Sequence, residues 1–258
     1  MKHIYYTVLV SLLLVGSSRT ATATSAAEAS AAAARAAAVA AEAAAVAAKA
    51  AADAAKAVAD VAKAMENWIP LFDGESLTGW SVPVYGGDGD VDVQGGNLVI
   101  GRGEMMTGIR YEKKFPKNNY EIQYEARRIQ GYDFFAACTF PVNKSFCTFI
   151  NGGWGGGLTG LSSIDGYDAS ENSTSSHYDY RENAWHRFRI RVMEGKIQVW
   201  ITAQDKEGHW GEEKSIIEFE VEDKGLSTRL EMERYKPLGL CTWNTEGELR
   251  KIEYRLIE

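Results

Sequence analysis

The sequence predicts an all-β sandwich or jelly roll preceded by one long alanine-rich helix. Three observations carry this expectation. Of the 34 alanines in 258 residues, 26 lie between positions 26 and 64. From Asn67 onward, apolar and polar residues alternate with a period of two. About a dozen such runs follow one another with no helical pattern between them, as in sandwiches and jelly rolls.

The chain opens with a basic start, Met1-Lys2-His3. Residues 4–15 form an apolar run broken only by Thr7 and Ser11, and Ala21-Thr22-Ala23 is a small-x-small cleavage site. Residues 1–23 therefore read as a signal peptide, removed on export to the periplasm or the exterior. Ser17 follows Gly16 where a lipoprotein would carry cysteine, so no lipid anchor is expected. The chain carries a net charge of −7 and no basic cluster, which argues against nucleic acid and anionic membranes as partners. No apolar run approaches the roughly 18–20 residues of a spanning helix, so no integral membrane span is expected. There is no G-x-x-x-x-G-K-[ST] loop, no G-x-G-x-x-G between strand and helix, and no C-x-x-C pair, so no cofactor is evident.

Residues 24–66 predict a helix. Ser25 and Glu28 fit a capping box, and alanine has the highest helix propensity. Glu28, Arg35, Glu42, Lys49, Lys56 and Lys63 recur every seventh residue. With that stripe outermost, the inner seam is alanine from Ala33 to Ala54 and larger at Val58, Val61 and Met65. A strict sevenfold repeat favours a left-handed supercoil, hence a homo-oligomeric stalk. A lone spacer helix fits the same composition.

Residues 67–258 hold the strands. Tyr120, Ile122, Tyr124 and Ala126 alternate with Glu121, Gln123, Glu125 and Arg127. Phe188, Ile190 and Val192 alternate with arginines, and Ile197, Val199 and Ile201 follow after a Glu194-Gly195 turn. Gly95-Gly96-Asn97 joins 91–93 to 98–100 as a second hairpin. Further strands fit 134–140, 147–150, 216–221, 238–242 and 251–256. No boundary falls inside this region, so it is one domain.

A family resemblance enters on the segment WIPLFDGESLTGW at 68–80. It continues through VDVQGGNLVI, NYEIQYEARR, WHRFRIRVMEGKIQVWI and KPLGLCTWNTEGELRKIEYRLI, in order. Together they resemble the 3-keto-disaccharide hydrolase domain family over about residues 67–258. The resemblance implies a concanavalin-like jelly roll, often exported by bacteria that degrade polysaccharides. It also implies hydrolysis of glycosides already oxidised to a ketone at sugar C3. A C3 ketone acidifies the C2 hydrogen, so a carboxylate base and an acid for the glycosidic oxygen suffice. The chain departs from the family at Gln130-Gly131-Tyr132-Asp133-Phe134-Phe135, at Leu249-Arg250-Lys251-Ile252 and across residues 138–172, as a divergent subgroup would.

Candidate residues follow. Glu121 and Glu125 share one face of a strand, about 13 Å apart at 3.3 Å per residue, and are the leading acid–base pair or else an exposed polar face. Asp165 stands at a position that looks like the family's strand-ending aspartate and is the third catalytic candidate. Tyr167, Asp168, Glu171, Asn172 and His177 form an acidic, hydroxyl-rich stretch that can bind sugar hydroxyls, leaves a divalent cation open, or is a solvated turn. Trp154, inside a run of glycines at 152–157, can stack on a sugar ring or fill a bulge, and Trp243 is a second stacking candidate. Asp88, Asp90 and Asp92 resemble part of a calcium loop but lack its later ligands, so they read as a polar strand edge. Cys138 and Cys147 flank a short loop and form the candidate disulfide. The two functional readings are an exported hydrolase acting on a carbohydrate and a non-catalytic glycan-binding module held on a stalk.

Overall fold

The computed structural model describes residues 3–66 and 68–257, with side chains for 25–56 and 68–257. The chain divides into two compact units, Met1–Glu66 and Asn67–Glu258.

The first unit is one helix, α1, His3–Glu66, of 64 residues. At 1.5 Å per residue it is about 96 Å long. Alanine supplies the propensity, and no proline interrupts it. The helix passes through Ser25 without a break, and in the uncleaved chain the backbone is helical from His3. The signal-peptide assignment and the larger seam residues Val58, Val61 and Met65 lie outside the described side chains. From Ser25 to Lys56 every side chain is exposed. This stretch is long and apolar enough to cross a membrane by length and composition alone. The expectation that no segment reaches that threshold is corrected on this point. Most of that hydropathy comes from single methyl groups, and the sevenfold charged stripe crosses the helix throughout.

The second unit is all-β. Its strands are β1 Ile69–Pro70, β2 Trp80–Ser81, β3 Val91–Gln94, β4 Asn97–Ile100, β5 Met106–Tyr111, β6 Tyr120–Gln130, β7 Ala137–Val142, β8 Ser145–Gly152, β9 Leu158–Ser162, β10 Ser176–His177, β11 His186–Val192, β12 Lys196–Ala203, β13 Lys214–Glu220, β14 Gly239–Trp243 and β15 Glu246–Leu256. They form two antiparallel sheets. The first runs β13-β12-β11-β6-β15-β4-β3, with β1 added along β15; the second runs β10-β9-β8-β7-β14-β5-β2. Both predicted hairpins are present, and Gly95 and Gly96 turn with positive φ of 57° and 84°. Strands β5 and β9 were not among the sequence expectations. Each is short, and Gly108 and Gly160 interrupt its alternation.

The period of two sets the core. Tyr120, Ile122, Tyr124, Phe188, Ile190, Val199 and Ile201 point inward from the first sheet. Ile109, Cys138, Phe140, Phe149, Leu161 and Leu240 meet them from the second. The second sheet also carries apolar residues on its outer face. Met106, Ala137, Ile150 and Cys241 join Phe134, Ala169, Met232 and Tyr235 in a separate buried cluster. That cluster roofs the sheet with the 164–175 loop and a short 3₁₀ turn, Leu230–Tyr235. It is the floor on which the candidate site is built.

Cys138 and Cys147 are corrected from a disulfide to two free, buried thiols. In the β7–β8 register Cys138 faces Phe149, and Cys147 faces Phe140. The two are diagonal neighbours, a separation of about 7–8 Å between positions, wider than ordinary disulfide geometry. Cys241 is a buried thiol, as expected, against the Met232 sulfur at 3.7 Å.

Candidate functional site

The outer face of the second sheet holds a cleft of about 190 Å³. Its walls include Trp154, Trp243, Asp133, Phe134, Arg229 and Glu231. The two tryptophans singled out in the sequence therefore face one space. Trp243 ends β14 and leans on Phe134, ring centroids 6.3 Å apart. Trp154 sits in a turn at φ 46°, ψ 56°, between Gly152, Gly155 and Gly156, all at positive φ. The glycines let the chain reverse sharply enough to lift the indole off the sheet, and it is 46% exposed.

Asp133 supplies the cleft's half-buried carboxyl. It accepts the Phe134 N–H at 2.8 Å and a bond from the Trp154 backbone, while its own N–H donates to the Thr245 hydroxyl at 3.1 Å. Burial raises its pKa above that of an ordinary aspartate, and the two N–H bonds and Arg128 only partly oppose this. A carboxyl in this state is a proton donor closer to neutrality than an exposed aspartate. Across the cleft, Arg229 pairs with Asp168 and lies 3.5 Å from the Glu231 carboxylate. Asp168 is fixed by the Ser162 hydroxyl at 2.6 Å and by the Ala169 N–H at 2.8 Å. Tyr85 donates to the Glu231 carbonyl and stacks on Tyr235. Burial, first among the causes, pushes the Tyr85 phenol up to about 12, so it stays a donor.

The other sequence candidates fall elsewhere. Glu121 and Glu125 lie on the outer face of the first sheet, away from the cleft. Both are fully buried, not exposed as a polar face would be. Glu121 meets Arg189 at 2.8 Å, Arg191 at 2.7 Å and Arg255 at 2.7 Å. Glu125 meets Arg187 at 2.7 Å, Arg250 at 2.7 Å and Lys251 at 3.3 Å. Indoles cover the guanidiniums: Trp200 lies 3.8 Å from Arg189, Trp185 3.9 Å from Arg250 and Trp210 4.3 Å from Arg187. Burial pushes both carboxyls up, but the arginine hydrogen bonds and charges outweigh it, and both end below the ordinary range. A buried carboxylate held ionised by three cations is a weak base out of a substrate's reach, so neither is placed to take a substrate proton.

Asp165 is exposed, at φ 53°, and accepts the Gly225 N–H at 2.7 Å beside Lys224. It closes a turn and does not line the cleft. Asn172 is a loop brace: its amide donates to the Leu161, Asp168 and Tyr167 carbonyls, and its oxygen accepts from Thr174. Tyr167 and Glu171 are exposed on that loop. His177 lines a neighbouring cleft with Tyr178 and Asp179. Asp88 holds its own turn by accepting from Tyr85 and Gly86. Among the described residues no three His, Cys, Asp or Glu side chains converge as a metal-binding group.

Sequence reasoning missed Asp133, Arg229 and Glu231. Asp133 left a trace, since it stands in the stretch where the chain departs from the family pattern. Arg229 and Glu231 left none, because their segment has neither a period nor a motif.

No curated protein matches the sequence. Among solved structures, similarity extends to a candidate glycosyl hydrolase from Parabacteroides distasonis, at 12% identity over 75% of this chain and 96% of that one, TM-score 0.44. It extends also to the carbohydrate-binding module CBM66 from Bacillus subtilis, at 10% identity over 69% and 95%, TM-score 0.41. A third is the lectin UEA-II complexed with galactose, at 8% identity over 74% and 95%, TM-score 0.45. Residues 67–255 match the family described as the 3-keto-alpha-glucoside-1,2-lyase-like domain. The chain belongs to that family.

Proposed function

We propose that the cleft cleaves glycosides carrying a C3 ketone, by removing the C2 proton and expelling the group at C1. The observation that carries this reading is Asp133, a half-buried carboxyl whose pKa burial raises, in one cleft with two indoles and the Arg229–Glu231 pair. The ring lies against Trp154 and Trp243. Glu231 accepts the C2 proton, and the C–H electron pair becomes the C1–C2 double bond. The C1–O bond breaks, and its electron pair stays on the bridging oxygen, which takes the proton of Asp133. Arg229 stabilises the negative charge that develops on the ketone oxygen. Water adding across the double bond afterwards gives net hydrolysis.

The test is incubation of the mature chain with 3-keto-trehalose and with unoxidised trehalose. Turnover of the keto sugar alone supports the reading. Glycan binding with no turnover of any keto sugar would assign the cleft to a non-catalytic binding module instead.

The same proposal places the domain outside the cytoplasm. The basic start, apolar run and small-x-small site of residues 1–23 support export. The sevenfold repeat and the wholly exposed surface of residues 25–56 support a self-associating stalk.

A further inference from the structure

A second cleft, of about 330 Å³, adjoins the first. It is lined by Tyr132, Gly155, Gly156, Gly157, His177, Tyr178, Asp179 and Glu182, with Arg128 beneath. The boundary between the clefts is one ridge. Asp133 and Trp154 face the first cleft, and their chain neighbours Tyr132 and Gly155 face the second. Arg128 stiffens this ridge by donating to the Gly156 and Tyr180 carbonyls at 3.1 Å.

The first cleft is too small to serve alone. Ligand sites ordinarily span about 300–1,000 Å³, and 190 Å³ suits a single ring. With the second cleft included, the space reaches that range. The chemistry of the second cleft suits a sugar. Tyr132 is 84% exposed, an unusual cost for an aromatic with nothing to cover it. The His177 ring packs against residue 157 because that residue is glycine: a Cβ there would sit 2.1 Å from the imidazole. Among the described residues, the side-chain heads of His177, Asp179 and Glu182 make no hydrogen bond or ion pair, so all three remain open to hydroxyl groups.

Resting on the function proposed above, we infer that the second cleft holds the leaving sugar of a disaccharide. The keto ring sits between Trp154 and Trp243, and the glycosidic oxygen crosses the ridge at Asp133. The leaving ring stacks on Tyr132 and hydrogen-bonds Asp179, Glu182 and His177. The placement explains why the proton donor stands at the junction: Asp133 is the carboxyl on the ridge between the two rings.

The experiment compares two substrates that share the keto ring. One is 3-keto-trehalose, whose leaving group is a sugar; the other is methyl 3-keto-α-glucoside, whose leaving group is methanol. Tyr132→Ala and Asp179→Asn, both at exposed positions, are assayed on the full mature chain. The expected result is a KM for 3-keto-trehalose raised about fivefold to tenfold, with kcat/KM for the methyl glycoside unchanged. Equal effects on both substrates, or none on either, would overturn the inference while leaving the first cleft's role intact. Failure of the unsubstituted protein to cleave or bind either compound would overturn the reading of the first cleft, and this inference with it.

Discussion

His186 shows how a single side chain's surroundings set a pH dependence. It is 1% exposed beneath Tyr178, Tyr180, Phe135 and Phe188. Burial, chiefly, lowers its pKa from 6.5 to about 4. The folded state therefore binds the neutral ring, and its contribution is fully present above pH 6.5. It is lost as pH falls from 6.5 toward 4. His186→Phe is expected to flatten stability across that window, checked by urea unfolding at pH 7 and pH 5. An unchanged slope would contradict the assignment. Glu125 gives the opposite lesson about legibility. Its alternation with Tyr124 and Ala126 correctly places it on the outer face of β6, and nothing in the sequence says that three cations and two indoles bury that face. Those partners come from β11 and β15 and from the 204–213 loop, dozens of residues away. Glu125→Gln leaves Arg187, Arg250 and Lys251 without their shared anion, and a loss of about 3–5 kcal/mol is expected at pH 7. Glu125 is held below its ordinary pKa, so this stabilisation exists above the ordinary value and fades as pH falls through the lowered one.

At the scale of elements, the strands with unbroken alternation were readable, and those interrupted by glycine were not. β6, β11 and β12 follow the period of two over most of their length. β5 carries Gly108, where a Cβ would meet the Leu240 carbonyl at 2.3 Å. The glycine is there so that β5 and β14 can approach, and the same glycine erases the pattern. The helix raises a different question, since propensity makes it a helix whether or not it has a partner. Ala44 and Ala47 belong to the inner seam of the sevenfold repeat, where a second copy would pack. The mature chain is expected to sediment as an oligomer, and the double variant Ala44→Glu, Ala47→Glu as a monomer. A native chain that stays monomeric at high concentration would contradict the stalk.

At the scale of the whole β-unit, the two sheets divide the work. The first is closed on its outside by arginine, tryptophan and buried glutamate. The second leaves its outer face partly apolar, roofs it with a loop and a 3₁₀ turn, and keeps a cleft open between them. Trp154 and Trp243, both singled out in the sequence as stacking candidates, line that cleft. The sequence's leading acids, Glu121 and Glu125, lie on the other sheet, because carboxylates in strict alternation are conspicuous while Asp133 in an irregular turn is not. In the proposed reaction Asp133 donates the proton to the departing oxygen of a 3-keto glycoside. The measurement that tests it most directly is kcat/KM on 3-keto-trehalose across pH, for the native chain and for Asp133→Asn. The native rate is expected to fall as pH rises through the raised pKa of Asp133. The Asp133→Asn rate is expected to be lower by about 10²–10⁴ and to lack that limb. An Asp133→Asn variant that keeps the native rate and pH profile would contradict it.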